Sequence, residues 1–471
     1  MLIQKDGLVD LLLLVLDQRL EQGCDLDKTR VSERIEAARD SYDALYAIAL
    51  ELRSPPQRQD WPYVEPVAWE DIVSESAHLN PSGLWREPDL ELAADRARTA
   101  FLGSVCGCML GKPVEVDPTL AELRRVGQAV GEWPIRDYIS QAFIDRLGRC
   151  HESSGQTVRE NICFAAADDD IHYSMIGMLL LEERGIGFAQ GDIYEKWLMN
   201  IPPLWTWGPE RSTLLTTGIN RHHALPAKEV EDCHDVLLLN PGDESCGALI
   251  RVDAYGYACP GNPDLAAWLA WKDASFTHIK TGVYSAMFVA ALIALCHSAD
   301  TGLKGNERLG LVEEALKRIP ANTRFSAIVR DAMDKVAIAG DWLAAYGAIH
   351  AKYREFTHCR VNQEIGTLLN TLKFAESIDH GFCIQVSQGN DTDSFGATSG
   401  SMLGAFFGPG YLDERWLAPF SNRIQHALAD LHEYKLDALA DRFSRMPEKV
   451  YREYRQSRGL PGVLPFSAPP V

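Results

Sequence analysis

The sequence predicts an all-α protein: a large orthogonal multi-helix bundle around a central buried helix core, with an extra helical region at the N-terminus. Three observations point there. Segments 173–183, 283–299 and 395–407 are apolar nearly all round instead of on one face, the pattern of helices at the centre of a large helical core. Strand-like alternation is scarce, with only 236–239 and 384–386 as candidates for short strands. Up to about Leu52 the apolar residues recur at helical spacing, as in Ile35, Ala38, Tyr42, Leu45 and Ile48.

Taken in order, the first element is the run from Leu8 to Leu16, which imitates a signal peptide. Asp10 interrupts it and Asp17-Gln18-Arg19 ends it without a small-residue cleavage site, so an amphipathic docking helix is expected. Two prolines among polar residues make 53–60 a linker. A polar, tryptophan-bearing stretch follows to about Asp95, and from Arg96 the chain turns to Ala, Leu, Gly and Met. The expected division is therefore a helical extension over 1–95 and a main domain over 96–471. Gly185 supplies a stop for the first buried helix. In the third, Gly396, Gly400 and Gly404 bare one face of the backbone, so a neighbouring helix can approach closely.

Composition sets the outer limits. A chain of 471 residues at 46% hydrophobic can bury a sizeable core. The formal net charge of -20, with no long basic run, argues against general nucleic-acid binding and suits cations. Eleven scattered cysteines without a C-x-x-C pair form neither a disulfide framework nor a zinc ribbon, so reduced thiols and a cytoplasmic location are expected. No stretch approaches the roughly 20 uninterrupted apolar residues of a membrane span.

Two acidic groups carry the chemistry. Asp168, Asp169 and Asp170 stand directly before the first buried helix. A single carboxylate there is an ordinary cap, but two unit charges about 4 Å apart repel by roughly 4 kcal/mol at an effective dielectric of 20, and a helix terminus returns only about 0.3–1 kcal/mol. A cation is wanted. The second group, Asp391, Asp393 and Ser394, precedes the glycine-rich helix, and Gly389 and Asn390 permit the turn that would aim both carboxylates at one place. An EF-hand starting at Asp391 fails, because its fifth and twelfth positions are Phe395 and Met402. A D-x-D motif of nucleotide-sugar transferases is a weak rival. Carboxylates and a hydroxyl without Cys or His select Mg²⁺, Mn²⁺ or Ca²⁺ over zinc, and four carboxylates balance a pair of divalent ions. Cys106 and Cys108, in an apolar small-residue segment, read as packing.

Four segments in register resemble the ADP-ribosylglycohydrolases. Gly103 to Glu115 is similar to the family's glycine-rich opening helix ending in Pro-x-Glu, with Cys108 where an Asp is common. Asp168-Asp169-Asp170 corresponds to a Thr-Asp-Asp metal motif, Asp168 replacing Thr. Ile250 to Gly261 and Asp273 to Ala291 resemble a bacterial branch, and Asn390-Asp391-Thr392-Asp393-Ser394 is similar to Gly-Asp-Thr-Asp-Thr. The resemblance implies hydrolysis of a glycosidic bond to ADP-ribose, with ADP-ribosyl-arginine the preferred target and ADP-ribose or an ADP-ribosylated protein the partner. Modified nucleic acid stays open as a target. It further implies two Mg²⁺, with Mn²⁺ as the alternative, held by Asp168, Asp169, Asp170, Asp391, Asp393 and Ser394. Glu115, Asp169 and Asp391 are the expected catalytic residues, and Glu115 and His278 are expected against the substrate. Competing readings are a noncatalytic relative that is structural or binds ADP-ribose, and a hydrolase of another ribosyl or nucleotide compound. Residues 120–161, between two site-forming pieces, are expected to cap the cleft, to serve as a docking surface or to be a simple insertion.

Overall fold

A computed structural model describes residues 3–223, 235–356 and 358–457. Among these the architecture is helical throughout, with only isolated bridges such as Thr119 to Gly389 in place of sheet. Both strand candidates are overturned. Residues 384–386 lie inside the helix Ile378–Ser387, whose burial on most sides produced a short apolar run without a readable period. Residues 236–239 form turns and bends.

The three buried helices are Asp169–Arg184, Lys280–Cys296 and Thr392–Phe407. All sixteen residues of the last are buried, and Gly185 ends the first at φ 64°. The 392–407 helix lies antiparallel against Leu90–Gly111, glycine on glycine. A methyl on Gly107 would sit 2.1 Å from the carbonyl oxygen of Gly396, and one on Gly400 would sit 2.1 Å from that of Gly103. The expected close approach therefore occurs, and its partner is a matching stripe of Gly103, Gly107 and Gly111. Thr392 Oγ1 fastens the end of the seam by donating to the carbonyl of Gly111 at 2.9 Å. This antiparallel seam brings the C-terminal end of one helix to the N-terminal end of the other.

The helices Lys5–Glu21, Lys28–Ala37 and Tyr42–Arg53 bury an apolar cluster of their own, including Leu12, Leu16, Ile35 and Leu45. They are tied to the 237–244 loop through Arg19, which donates to Asp243 at 2.6 Å and to the carbonyl of Leu237 at 2.9 Å. Trp69, Ile72, Leu79 and Trp85 instead join the main core. No helix among the described residues is long and apolar enough to cross a membrane.

Candidate metal and active site

The seam delivers both halves of an acidic site. Just past the 90–111 helix, a 3-10 turn over Lys112–Val114 places Lys112 inside the protein and Glu115 at its edge. At the facing end, Gly389 (φ 82°) and Asn390 (φ 61°) take left-handed conformations, and the Asn390 N–H donates to the carbonyl of Pro118 at 2.8 Å. A side chain on Gly389 would collide with that carbonyl at 2.2 Å. Asp391 then opens the 392–407 helix, and Asp393 Oδ1 accepts from the Ser394 N–H at 2.9 Å.

Asp168 caps the 169–184 helix, its Oδ1 accepting from the Asp170 N–H at 3.0 Å. Its other oxygen is 2.7 Å from Lys112 Nζ, which also lies 2.8 Å from Asp393 and 3.1 Å from Glu115. One ammonium thus joins acidic groups more than 200 residues apart in sequence. Beside it, ligand atoms of Glu115, Asp391 and Asp393 fall within 4.8 Å of one another, as do those of Cys108, Asp168 and Asp170.

Electrostatics mark the imbalance. Burial, followed by the charge of Asp168, holds Asp169 and Asp170 well above the usual carboxylate range. Burial and then Asp393 push Glu115 up to about 11 and Asp391 up to about 7. For Asp393 burial acts in the same direction but the Lys112 ammonium outweighs it, bringing the group down to about 2. Burial would lower Lys112, but Asp168, Asp393 and Glu115 hold it well above the ordinary lysine value. Asp170 Oδ1 and Asp391 Oδ1 are buried without a hydrogen-bond partner, a costly state that a cation would relieve. The donor set is dominated by hard oxygens, so the residues present fit the divalent ions expected of them.

A cleft of about 900 Å³ opens onto Lys112, Asp168 and the half-buried Asp169. Its other walls carry Trp205, Trp207, His426 and Tyr434, with Arg423 among them. The His426 ring stacks on Tyr434 at 4.6 Å.

The family model for ADP-ribosylglycohydrolases matches residues 88–453. The chain belongs to that family. A solved chain described as an ADP-ribosylglycohydrolase-related protein complex is 20% identical over 76% of this chain and 99% of its own, with a TM-score of 0.42. A search of curated proteins returns no match. Membership of the ADP-ribosylglycohydrolase family supports a glycosidic hydrolase by class.

Of the expected site residues, Asp168 and Asp169 line the cleft, whereas Glu115, Asp170, His278, Asp391, Asp393 and Ser394 do not. The His278 side chain has no exposed surface and does not line the cleft; its Nδ1 is 2.7 Å from Thr277 Oγ1 and 3.6 Å from Glu210. Of the 120–161 segment, His151, Glu152, Ser153 and Gln156 reach the cleft, and His151 Nε2 lies 3.6 Å from Glu115. Trp133 and Pro134 line a separate cavity.

Sequence reasoning missed Lys112, although it stands inside the quoted glycine-rich motif. It also missed Glu364, a fully buried carboxylate that accepts from the Asp391 N–H at 3.0 Å and so orients the turn. It also missed Trp205 and Trp207, two tryptophans close together among prolines whose exposure only the structure shows.

Proposed function

We propose that this chain cleaves the glycosidic bond that joins ADP-ribose to a modified target. The observation that carries the reading is the convergence of buried carboxylates beside a cleft of about 900 Å³, with Asp170 Oδ1 and Asp391 Oδ1 left without a hydrogen-bond partner. Asp168, Asp169 and Asp170 on one side, with Asp391, Asp393 and Ser394 on the other, would hold two Mg²⁺, or Mn²⁺ in their place. Such ions supply Lewis-acid polarisation and a more acidic bound water.

The chain's own residues do the rest. Trp205, Trp207 and the His426–Tyr434 pair offer flat faces to a base, and Arg423 offers charge to a diphosphate. Glu115, at the edge of the cluster and 3.6 Å from His151 Nε2, would move a proton at the leaving group. Nearby carboxylates stabilise the positive charge that develops at the anomeric carbon. Glu152 on the cleft wall adds negative charge there, which favours a guanidinium and hence ADP-ribosyl-arginine as target.

Asp391→Asn is expected to cut Mg²⁺-dependent release of ADP-ribose by more than about 100-fold, beyond what losing a supporting hydrogen bond around a metal ligand costs. The helical circular dichroism should be unchanged. Undiminished release would refute the assignment. A noncatalytic, ADP-ribose-binding role is the second reading, favoured by Lys112 already bridging the two acidic groups. Calorimetry that finds ADP-ribose binding but no Mg²⁺ binding would select it.

A further inference from the structure

Asp391 has neighbours of a different chemical kind. The Cys246 and Cys359 side chains converge on the same carboxylate oxygen, Asp391 Oδ2, at 3.5 and 3.6 Å. One ligand atom from each of the three residues lies within 4.8 Å of the others. Cys246 begins the 3-10 helix Cys246–Arg251, while Cys359 stands in the loop before the helix Val361–Phe374, more than 100 residues later. The backbone fixes the meeting: the Cys246 N–H donates to the Cys359 carbonyl at 3.0 Å, and Cys359 sits at φ 63°. Asp391 Oδ1 is buried and without a hydrogen-bond partner, while the Asp391 N–H is held by Glu364.

We propose that Cys246, Cys359 and Asp391 form a second metal site, selective for a thiophilic divalent cation such as Zn²⁺, that shares Asp391 with the oxygen-lined site. Zinc binds sulfur at about 2.3 Å and carboxylate oxygen at about 2.0 Å, so a tetrahedral ion separates the two ligand atoms by about 3.5 Å. Both sulfur-to-oxygen distances match that edge. Two thiols and a carboxylate leave a fourth position for water, and soft sulfur ligands select against Mg²⁺ and Mn²⁺. Two protons leave the thiols as the ion enters. Cys246 is buried and Cys359 is partly exposed, so the ion would enter from the Cys359 side. Once bound, it takes Asp391 Oδ2 and so weakens that carboxylate's hold on the hard ions. That consequence for turnover rests on the glycohydrolase reading, whereas capture of the ion does not.

The test titrates Co²⁺ into the full-length, chelator-stripped protein under a non-thiol reductant, following the sulfur-to-cobalt charge-transfer absorption, and then displaces it with Zn²⁺. One equivalent should develop the absorption of two thiolates. Cys246→Ser and Cys359→Ser should each remove most of it and weaken Zn²⁺ at least about tenfold. Cys108→Ser, which alters the thiol beside Asp168 and Asp170, should leave both unchanged. Cys359 is on a partly exposed loop, so its variant carries the test even where the buried Cys246→Ser fails to fold. No absorption in the native protein, absorption that survives in Cys359→Ser, or absorption lost in Cys108→Ser each overturns the proposal. Mn²⁺-supported release of ADP-ribose, measured separately, reports on the hydrolase reading alone.

Discussion

Two buried clusters of charge in this protein are built on opposite principles. Where the N-terminal helices meet the body, each guanidinium has defined acidic partners. Arg19 spends its donors on Asp243, Gln22 and the carbonyls of Leu52 and Leu237, and Arg324 lies between Glu65 and Glu244. In the cleft, the single ammonium of Lys112 faces Asp168, Asp393 and Glu115 directly, with Asp169, Asp170 and Asp391 close by. A matched cluster holds two parts of a fold together. A surplus of carboxyl groups around one ammonium is costly to keep charged, and burial holds Asp169, Asp170 and Glu115 above the usual carboxylate range.

Breaking the matched cluster should have the larger effect on stability. Arg19→Met leaves Asp243 buried without its guanidinium, and chemical denaturation is expected to show a loss of about 3–5 kcal/mol. A loss below about 1 kcal/mol would mean that the contact is merely a surface pair.

Asp253 sharpens the contrast as a buried carboxylate with no cation against it among the described residues. Its Oδ2 accepts from Ser401 and its Oδ1 has no hydrogen-bond partner. Burial pushes it up to about 7. Since the unfolded value is about 3.9, the folded state holds the extra proton between those values. Its contribution to stability is therefore complete below the unfolded value and lost as pH rises through 7. Asp253→Asn should raise stability by about 1–3 kcal/mol at pH 8, with the gain shrinking towards pH 5. A gain that does not change between pH 5 and pH 8 would break the argument. Smallest of all is the exposed Arg34–Glu51 pair at 2.8 Å. Arg34→Ala should cost less than about 1 kcal/mol, and less again in high salt.

Much of this was legible in the sequence, for identifiable reasons. Helices apolar on every side have few other places to go, and a stripe of Gly396, Gly400 and Gly404 demanded a close neighbour. The acidic groups were visible because three consecutive aspartates exceed what a helix cap needs. Ile384 to Val386 misled because a short apolar run has no period to read. Lys112 was passed over because its motif was read for the glycines, Cys108 and Glu115, and only the fold shows its ammonium enclosed. Arg423, His426 and Tyr434 lie outside the motifs and reach the cleft through tertiary packing alone. The cysteines looked scattered because Cys246 and Cys359 are neighbours in space and not in sequence.

The glycine seam between 90–111 and 392–407 has a consequence beyond packing. With main chain resting on main chain at Gly103, Gly107, Gly396 and Gly400, no rotamer lies between the two supports of the site. The separation of the two backbones that carry Lys112 and Asp393 is therefore set by direct main-chain packing, and side-chain motion elsewhere in the core has little leverage over it.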